Sequence, residues 1–288
     1  MNRRGWLTLL PRPLCPTWMG ATKLVVGVLA GVLLFHQVTP LVVLILTGLR
    51  EPIAVMRDGI FSLSGLSLRQ FVDLFRDHGM ASSLLDSLLI AIVSSAMAVL
   101  AASAFVFSCT QLKLPGATPL ILGFVCFRLV PPAALIMPIF VLLRGVGLGD
   151  TRLGLILVHS SINLPFAMWL LVPFFKAIPE DLRSAAEIDG LGPLDCFWRV
   201  YLPLIAPGLA LAGIFCFLLS WNDFLVALVL AGSDVKTAPL LVNGFMTGFG
   251  PEWGLMAASA LVVMTPVFIL SYFLQRYFRA GLSDGAVK

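Results

Sequence analysis

Long apolar runs, broken by short polar segments, set the pattern of this chain. A helix needs about 20 apolar residues to cross a bilayer. Charge-free windows of that kind run over Leu24–Leu49, Ser87–Leu112, Leu153–Phe175, Val200–Asn222 and Trp253–Gln275. A sixth, Leu114–Leu143, qualifies once Arg128 is accepted inside it. The pattern predicts an all-α integral membrane fold with six transmembrane helices. A transmembrane domain over 24–277 then has spans at about 24–49, 87–112, 117–143, 153–175, 203–230 and 253–277, between terminal segments 1–23 and 278–288.

Two polar segments break the pattern in an organised way. LRQFVDLFRDHG (Leu68–Gly79) reads as an amphipathic helix with Leu68, Phe71, Val72 and Phe75 on one face, suited to a membrane surface, an external partner or the bundle itself. The second, Ile178–Pro203, holds five acidic and two basic residues between two apolar spans. Pro179, Glu180 and Asp181 form a helix start, Gly190 suits a left-handed stop, and Pro193 with Asp195 opens a second short helix. A compact helix–turn–helix on one side of a bilayer points to a docking partner there.

Composition agrees with a membrane protein: 59% of residues are hydrophobic, 12% charged, and mean hydropathy is +0.99. The net charge of +4 gives no nucleic-acid signature and fits a basic end at a lipid surface. With the N-terminus inside, cytoplasmic segments carry eleven Lys and Arg against seven outside. This bias puts both termini and Ile178–Pro203 on the cytoplasmic side. No cleaved signal peptide is expected in residues 1–23. The five cysteines are widely spaced, which predicts neither a disulfide framework nor a metal site.

Catalytic motifs are missing from the sequence. None of the five lysines follows a glycine, so a phosphate-binding loop ending in Gly-Lys cannot be written. The three histidines, His36, His78 and His159, lie far apart. The expectation is a non-enzymatic chain without cofactors, in which any ATP and Mg would be bound by another subunit. Polar residues inside the spans mark a candidate solute pathway. Arg128 sits near the middle of its span, facing either an aqueous pathway or a structural partner such as Asp223. Asn163, Asn222 and Asp223 offer hydrogen-bonding groups to a polar solute, and Trp221 an aromatic face. Buried interhelical bonds, or an interfacial anchor for Trp221, account for the same residues.

The segment order resembles the inner-membrane permease subunits of carbohydrate-type ABC importers, close to the second permease of the maltose-transporter group. That family carries an EAA-x-x-D-G loop followed by I/V-x-LP. Here Ala185, Ala186, Asp189 and Gly190 match, Val200, Leu202 and Pro203 complete the motif, and Ile178, Pro179 and Leu182 fit upstream. GLGDTRLGLIL (Gly147–Leu157), NLPFAMWLL (Asn163–Leu171), SWNDFL (Ser220–Leu225), EWGLMAA (Glu252–Ala258) and QRYFRAGLSDGAVK (Gln275–Lys288) also match, so the likeness covers most of the chain.

The resemblance implies the type I ABC importer permease fold, with a cytoplasmic coupling helix between helices 4 and 5. It implies a bacterial inner-membrane complex with a homologous second permease, two ATP-binding subunits, an extracytoplasmic solute-binding protein and a sugar-like substrate. Arg183, Ser184, Ala185, Ala186, Glu187, Asp189 and Gly190 become the ATPase-coupling residues. Ala185 and Ala186 are expected to let the helix enter a groove, with Arg183, Glu187 and Asp189 at its rim. The family glutamate is replaced by Ser184, and Glu187, one turn on, is the expected substitute. Two rival readings are an ion-gradient-driven secondary transporter, for which Asp223 is the only well-placed acid, and a membrane assembly or channel protein.

Overall fold

The computed structural model describes residues 16–51, 57, 59, 62–112, 114, 116–248 and 250–285. Helix α1 (Pro16–Gly48) is followed by a short outer helix, α2 (Arg69–Arg76), and then by α3 (Met80–Thr110). Next come α4 (Ala117–Phe127), α5 (Pro132–Gly145) and α6 (Arg152–Lys176). A short pair, α7 (Glu180–Ile188) and α8 (Pro193–Cys196), leads through a π-helical turn (Phe197–Tyr201) and one α-turn (Leu202–Leu204) into α9 (Ala206–Trp221). The chain closes with α10 (Leu225–Leu230), α11 (Ala238–Gly244), a two-residue hairpin and α12 (Trp253–Gly285).

Among the described residues four helices are long and apolar enough to cross a membrane: Thr22–Gly48, Met80–Thr110, Arg152–Lys176 and Trp253–Tyr272. Counting each bent pair as one span raises this to six. Both pairs bend far more than a kinked rod. Helices α4 and α5 meet at 91°, where the sequence predicted one span containing Arg128. The cause is local. Arg128, Leu129 and Val130 donate to carbonyls three residues back, tightening the end of α4, and Pro131–Pro132 removes the next two N–H groups. The second bend, 79°, falls at Ile205 between Pro203 and Pro207. The fifth span is therefore α9, of 16 residues or about 24 Å, continued by α10 beyond a break at Asn222–Phe224.

The centre of the fold is α6 packed along α3, with α9 against both. The packed face of α3 carries Ala91, Ser94, Ser95, Ala98, Ala102 and Val106, all buried. Their small size brings the helix backbones close, and in lipid such packing and interhelical hydrogen bonds drive association. Helix α3 also begins seven residues earlier than the charge-free window, because Asp86 is tolerated inside it. Its buried carboxylate lies 2.6 Å from Arg152 Nε at the start of α6. Helix α1 packs on α12, and its apolar side chains between Leu24 and Phe35 are exposed. That surface suits lipid or another membrane subunit.

The outer segments are tied to one another. Asp150, between α5 and α6, accepts backbone N–H bonds from Gly232 (2.6 Å), Asp234 (3.0 Å) and Val235 (3.2 Å), while its own N–H donates to Leu230 O. Burial pushes the Asp150 carboxyl up, but these N–H groups outweigh it and hold the pKa below the ordinary carboxylate value. Helix α2 buries Gln70 and Leu74 and half-buries Phe71 against α12 and its neighbours, leaving Leu68, Val72 and Phe75 exposed. The predicted apolar face is thus split between the bundle and the outside.

Candidate functional site: the charged segment Ile178–Pro203

Local sequence accounts for the shape of Ile178–Pro203. Pro179 caps α7 at its N-terminus in an extended conformation, with Asp181 in the first turn, where the helix dipole favours acids. At the other end Leu191 N donates to Ala186 O (3.0 Å) and Gly190 N to Glu187 O (3.1 Å). This crossed pair is a Schellman stop, and it places Gly190 at φ +79°, a left-handed conformation that disfavours a side chain. A Cβ there would meet nothing within 4 Å, so the backbone conformation alone calls for glycine.

The helix has two faces. Asp181, Ser184, Ala185 and Ile188, spaced i, i+3, i+4 and i+7, are exposed on one side. Ile188 is 85% exposed, and beyond the turn Leu194 is 72% exposed, with Trp198 also in the open. Large apolar side chains this exposed on a polar segment mark a contact surface. Ser184 and Ala185 between them let a partner approach the helix backbone closely. The motif match had pointed to the alanines and overlooked Ile188 and Leu194, although apolar residues flanking a tight turn carry that signal.

The opposite face binds the chain's own bundle and gives three of the expected coupling residues contacts within it. Ala186 is buried in a core with Phe107, Phe175, Phe197 and Tyr201, so its small size serves internal packing. Arg183 turns inward and donates to the carbonyl of Gln111 at the end of α3. Glu187 bonds Arg183 Nε at 2.8 Å and holds that guanidinium in place. Neither Arg183 nor Glu187 is presented purely as a rim charge. Asp189 and Gly190 remain exposed at the turn.

Residues proposed for the solute pathway separate into two groups. Asn163 is buried; its Nδ2 donates to Ser220 Oγ (2.9 Å) and Cys216 O (3.3 Å), and Ser220 Oγ lies 3.0 Å from Ser94 Oγ. Trp221 is 1% exposed, stacked on Phe217, with Nε1 donating to Val263 O (3.1 Å). Both side chains are committed to interhelical contacts and offer no free face to a sugar. Arg128, Asn222 and Asp223 are at least partly accessible. Arg128 Nη1 donates to Ile162 O (3.0 Å) at the α4–α5 elbow, beside a cavity of about 220 Å³ lined also by Ile136, Ser161 and Pro165. Asn222 Nδ2 donates to Leu218 O, one turn back in its own helix. Asp223 accepts from Val226 N (2.9 Å) and lies 4.0 Å from buried His159 Nε2. Arg128 thus bonds a backbone carbonyl, while Asp223 faces Val226 N and His159.

Residues 117–284 match the family described as the binding-protein-dependent transport system inner membrane component. A trehalose transport system permease protein, SugB of Mycobacterium tuberculosis, is 35% identical over 242 residues, 83% of this chain and 88% of the relative. An osmoprotective compounds uptake permease protein, GgtD of Synechocystis, is 33% identical, covering 77% of this chain and 75% of the relative. In fold, the chain is similar to a bacterial ABC transporter structure involved in importing the acidic polysaccharide alginate. The TM-score is 0.78 at 20% identity, covering 93% of this chain and 100% of the other. The helical membrane bundle with its charged helix–turn–helix is that of a transport permease. The chain belongs to the binding-protein-dependent transport system inner membrane component family and is a permease subunit of an ABC importer.

Proposed function

We propose that this chain pairs with a homologous permease to form the translocation pathway for a sugar or small glycoside, driven by two copies of a separate ATP-binding subunit. The carrying observation is the outward face of α7, with Ile188 and Leu194 projecting beside a glycine turn. A cleft in the ATPase receives this face, and the apolar pair supplies most of the grip, as buried anchors do at interfaces generally. The carbohydrate assignment draws on relatives named for trehalose, α-glucoside and diacetylchitobiose transport. A solute-binding protein delivers the ligand on the outer side, and both termini are cytoplasmic. The pathway runs past the α4–α5 elbow and the α9–α10 break, where Arg128, Asn222 and Asp223 contribute polar groups.

Purification of the complex through a tag on this chain tests the docking. Ile188→Glu and Leu194→Glu each put a charge into an apolar contact. Together they should abolish co-purification of the ATPase while leaving the melting temperature of the permease unchanged. Retention of the ATPase at the wild-type ratio would exclude this face as the docking surface. Calorimetric screening of the cognate binding protein against trehalose, α-glucosides and chitobiose tests the substrate class.

A further inference from the structure

Gln111 terminates α3 at the cytoplasmic end, its N–H donating to Phe107 O (2.9 Å). Its side chain is buried. Nε2 donates to Phe175 O (2.9 Å) in the last turn of α6, and Oε1 accepts from Tyr201 Oη (2.9 Å) in the π-helical turn before α9. Phe175 O can only accept, which fixes the orientation of the amide. The backbone carbonyl of Gln111 accepts from Arg183 of α7, whose guanidinium Glu187 holds. One residue thus joins four segments: α3, the end of α6, the coupling helix and the lead-in to α9.

The surroundings make this bridge informative. Phe107 lies 5.0 Å from Tyr201 and 5.2 Å from Phe197, ring centre to ring centre, and Phe175 stacks on Tyr201 at 6.2 Å. Aromatic packing of this kind holds elements together but allows one to slide or roll on another. Directional hydrogen bonds in a buried setting fix the register, and an amide there is costly unless both of its ends are satisfied. A methionine would fill the same volume without that cost. The amide therefore contributes position more than packing.

We infer that Gln111 is the positioning residue that ties displacement of α7 to α3 and α6, so that docking movements at the cytoplasmic face reach the outer ends of those helices. This rests on the reading of α7 as the ATPase-docking helix. Without the amide, α7 still docks, ATP is still hydrolysed and Arg183 still holds α7 to the end of α3, but α3 no longer carries the end of α6 and the lead-in to α9 along with it.

The test uses the complete complex, with its second permease and ATPase, purified through this chain. Hydrogen–deuterium exchange over 144–151 and 231–237 is compared without nucleotide and after trapping with ATP, Mg and vanadate. In the wild type, trapping should change exchange at both outer segments. Gln111→Met and Tyr201→Phe should keep the ATPase at the wild-type ratio and keep ATP turnover, yet lose more than half of that exchange change. Tyr201→Phe removes a single hydroxyl, releasing the lead-in to α9 while leaving the bonds to Phe175 and Arg183, and tests that arm of the junction if Gln111→Met fails to assemble. A wild-type exchange response in a variant that carries the ATPase would overturn the role of Gln111 alone. Absence of ATPase from the wild-type complex would overturn the docking reading beneath it.

Discussion

Gly208 shows how tightly single side chains set the geometry of this bundle. A Cβ added there would lie 2.6–2.8 Å from the ring of Phe174, a contact that only a shift of the ring or of α9 relieves. Overpacking a buried site of this kind costs about 1–3 kcal/mol. Gly208→Ala should lower the melting temperature of the detergent-solubilised protein measurably, and Phe174→Leu in the same chain should restore part of the loss. At this scale the motif identified the coupling segment but not the direction each side chain takes. Ser184 and Ala185 face outward while Arg183 and Ala186 face inward, and the reason is the position of Gln111 and Phe107, more than seventy residues earlier in the chain. Asn163 and Trp221 are a second case. Their chemistry suits a sugar, yet Ser220 and the Val263 carbonyl, supplied by neighbouring helices, already satisfy them.

Elements were legible wherever local chemistry decides them. The α7 start at Pro179 and its stop at Gly190 follow from residues close in sequence; the end of α4 before Pro131–Pro132 has an equally local cause, although the apolar pattern predicts one span through it. The 91° elbow does not, since proline dictates that a helix ends but not where the next one points. The Asp150 clasp is likewise tertiary, joining the start of α6 to a loop more than eighty residues on. Its carboxyl titrates below the unfolded value of about 3.9. The clasp therefore stabilises the fold fully above that value and is lost as pH falls through the lower, folded pKa. Asp150→Asn should be less stable than the wild type at pH 7, and the gap should close only below about pH 4. Thermal melts across that range measure it; a gap that widens on acidification would contradict this account.

For the whole molecule, the arrangement puts the α7–α8 turn and the Asp150 clasp at opposite ends of the α6 helix, whose 25 residues span about 38 Å. On the proposed orientation the first is cytoplasmic and the second external. In a chain with Cys15 and Cys126 replaced, the three remaining cysteines are buried, so added ones report alone. A membrane-impermeant maleimide should label Ser233→Cys on intact spheroplasts and Ile188→Cys only after permeabilisation. The reverse pattern would invert the proposed orientation.

Sequence alone determined the membrane class, the apolar segments and the presence of the short helix α7, because hydropathy, prolines and helix stops act over a few residues. The tertiary structure decided the α4–α5 elbow, the inward turn of Arg183 and Ala186, the engagement of Asn163 and Trp221, and the junction at Gln111. Each of these depends on which distant helix supplies the facing atom. In an apolar interior, a polar side chain takes the partner that the packing of helices brings within reach.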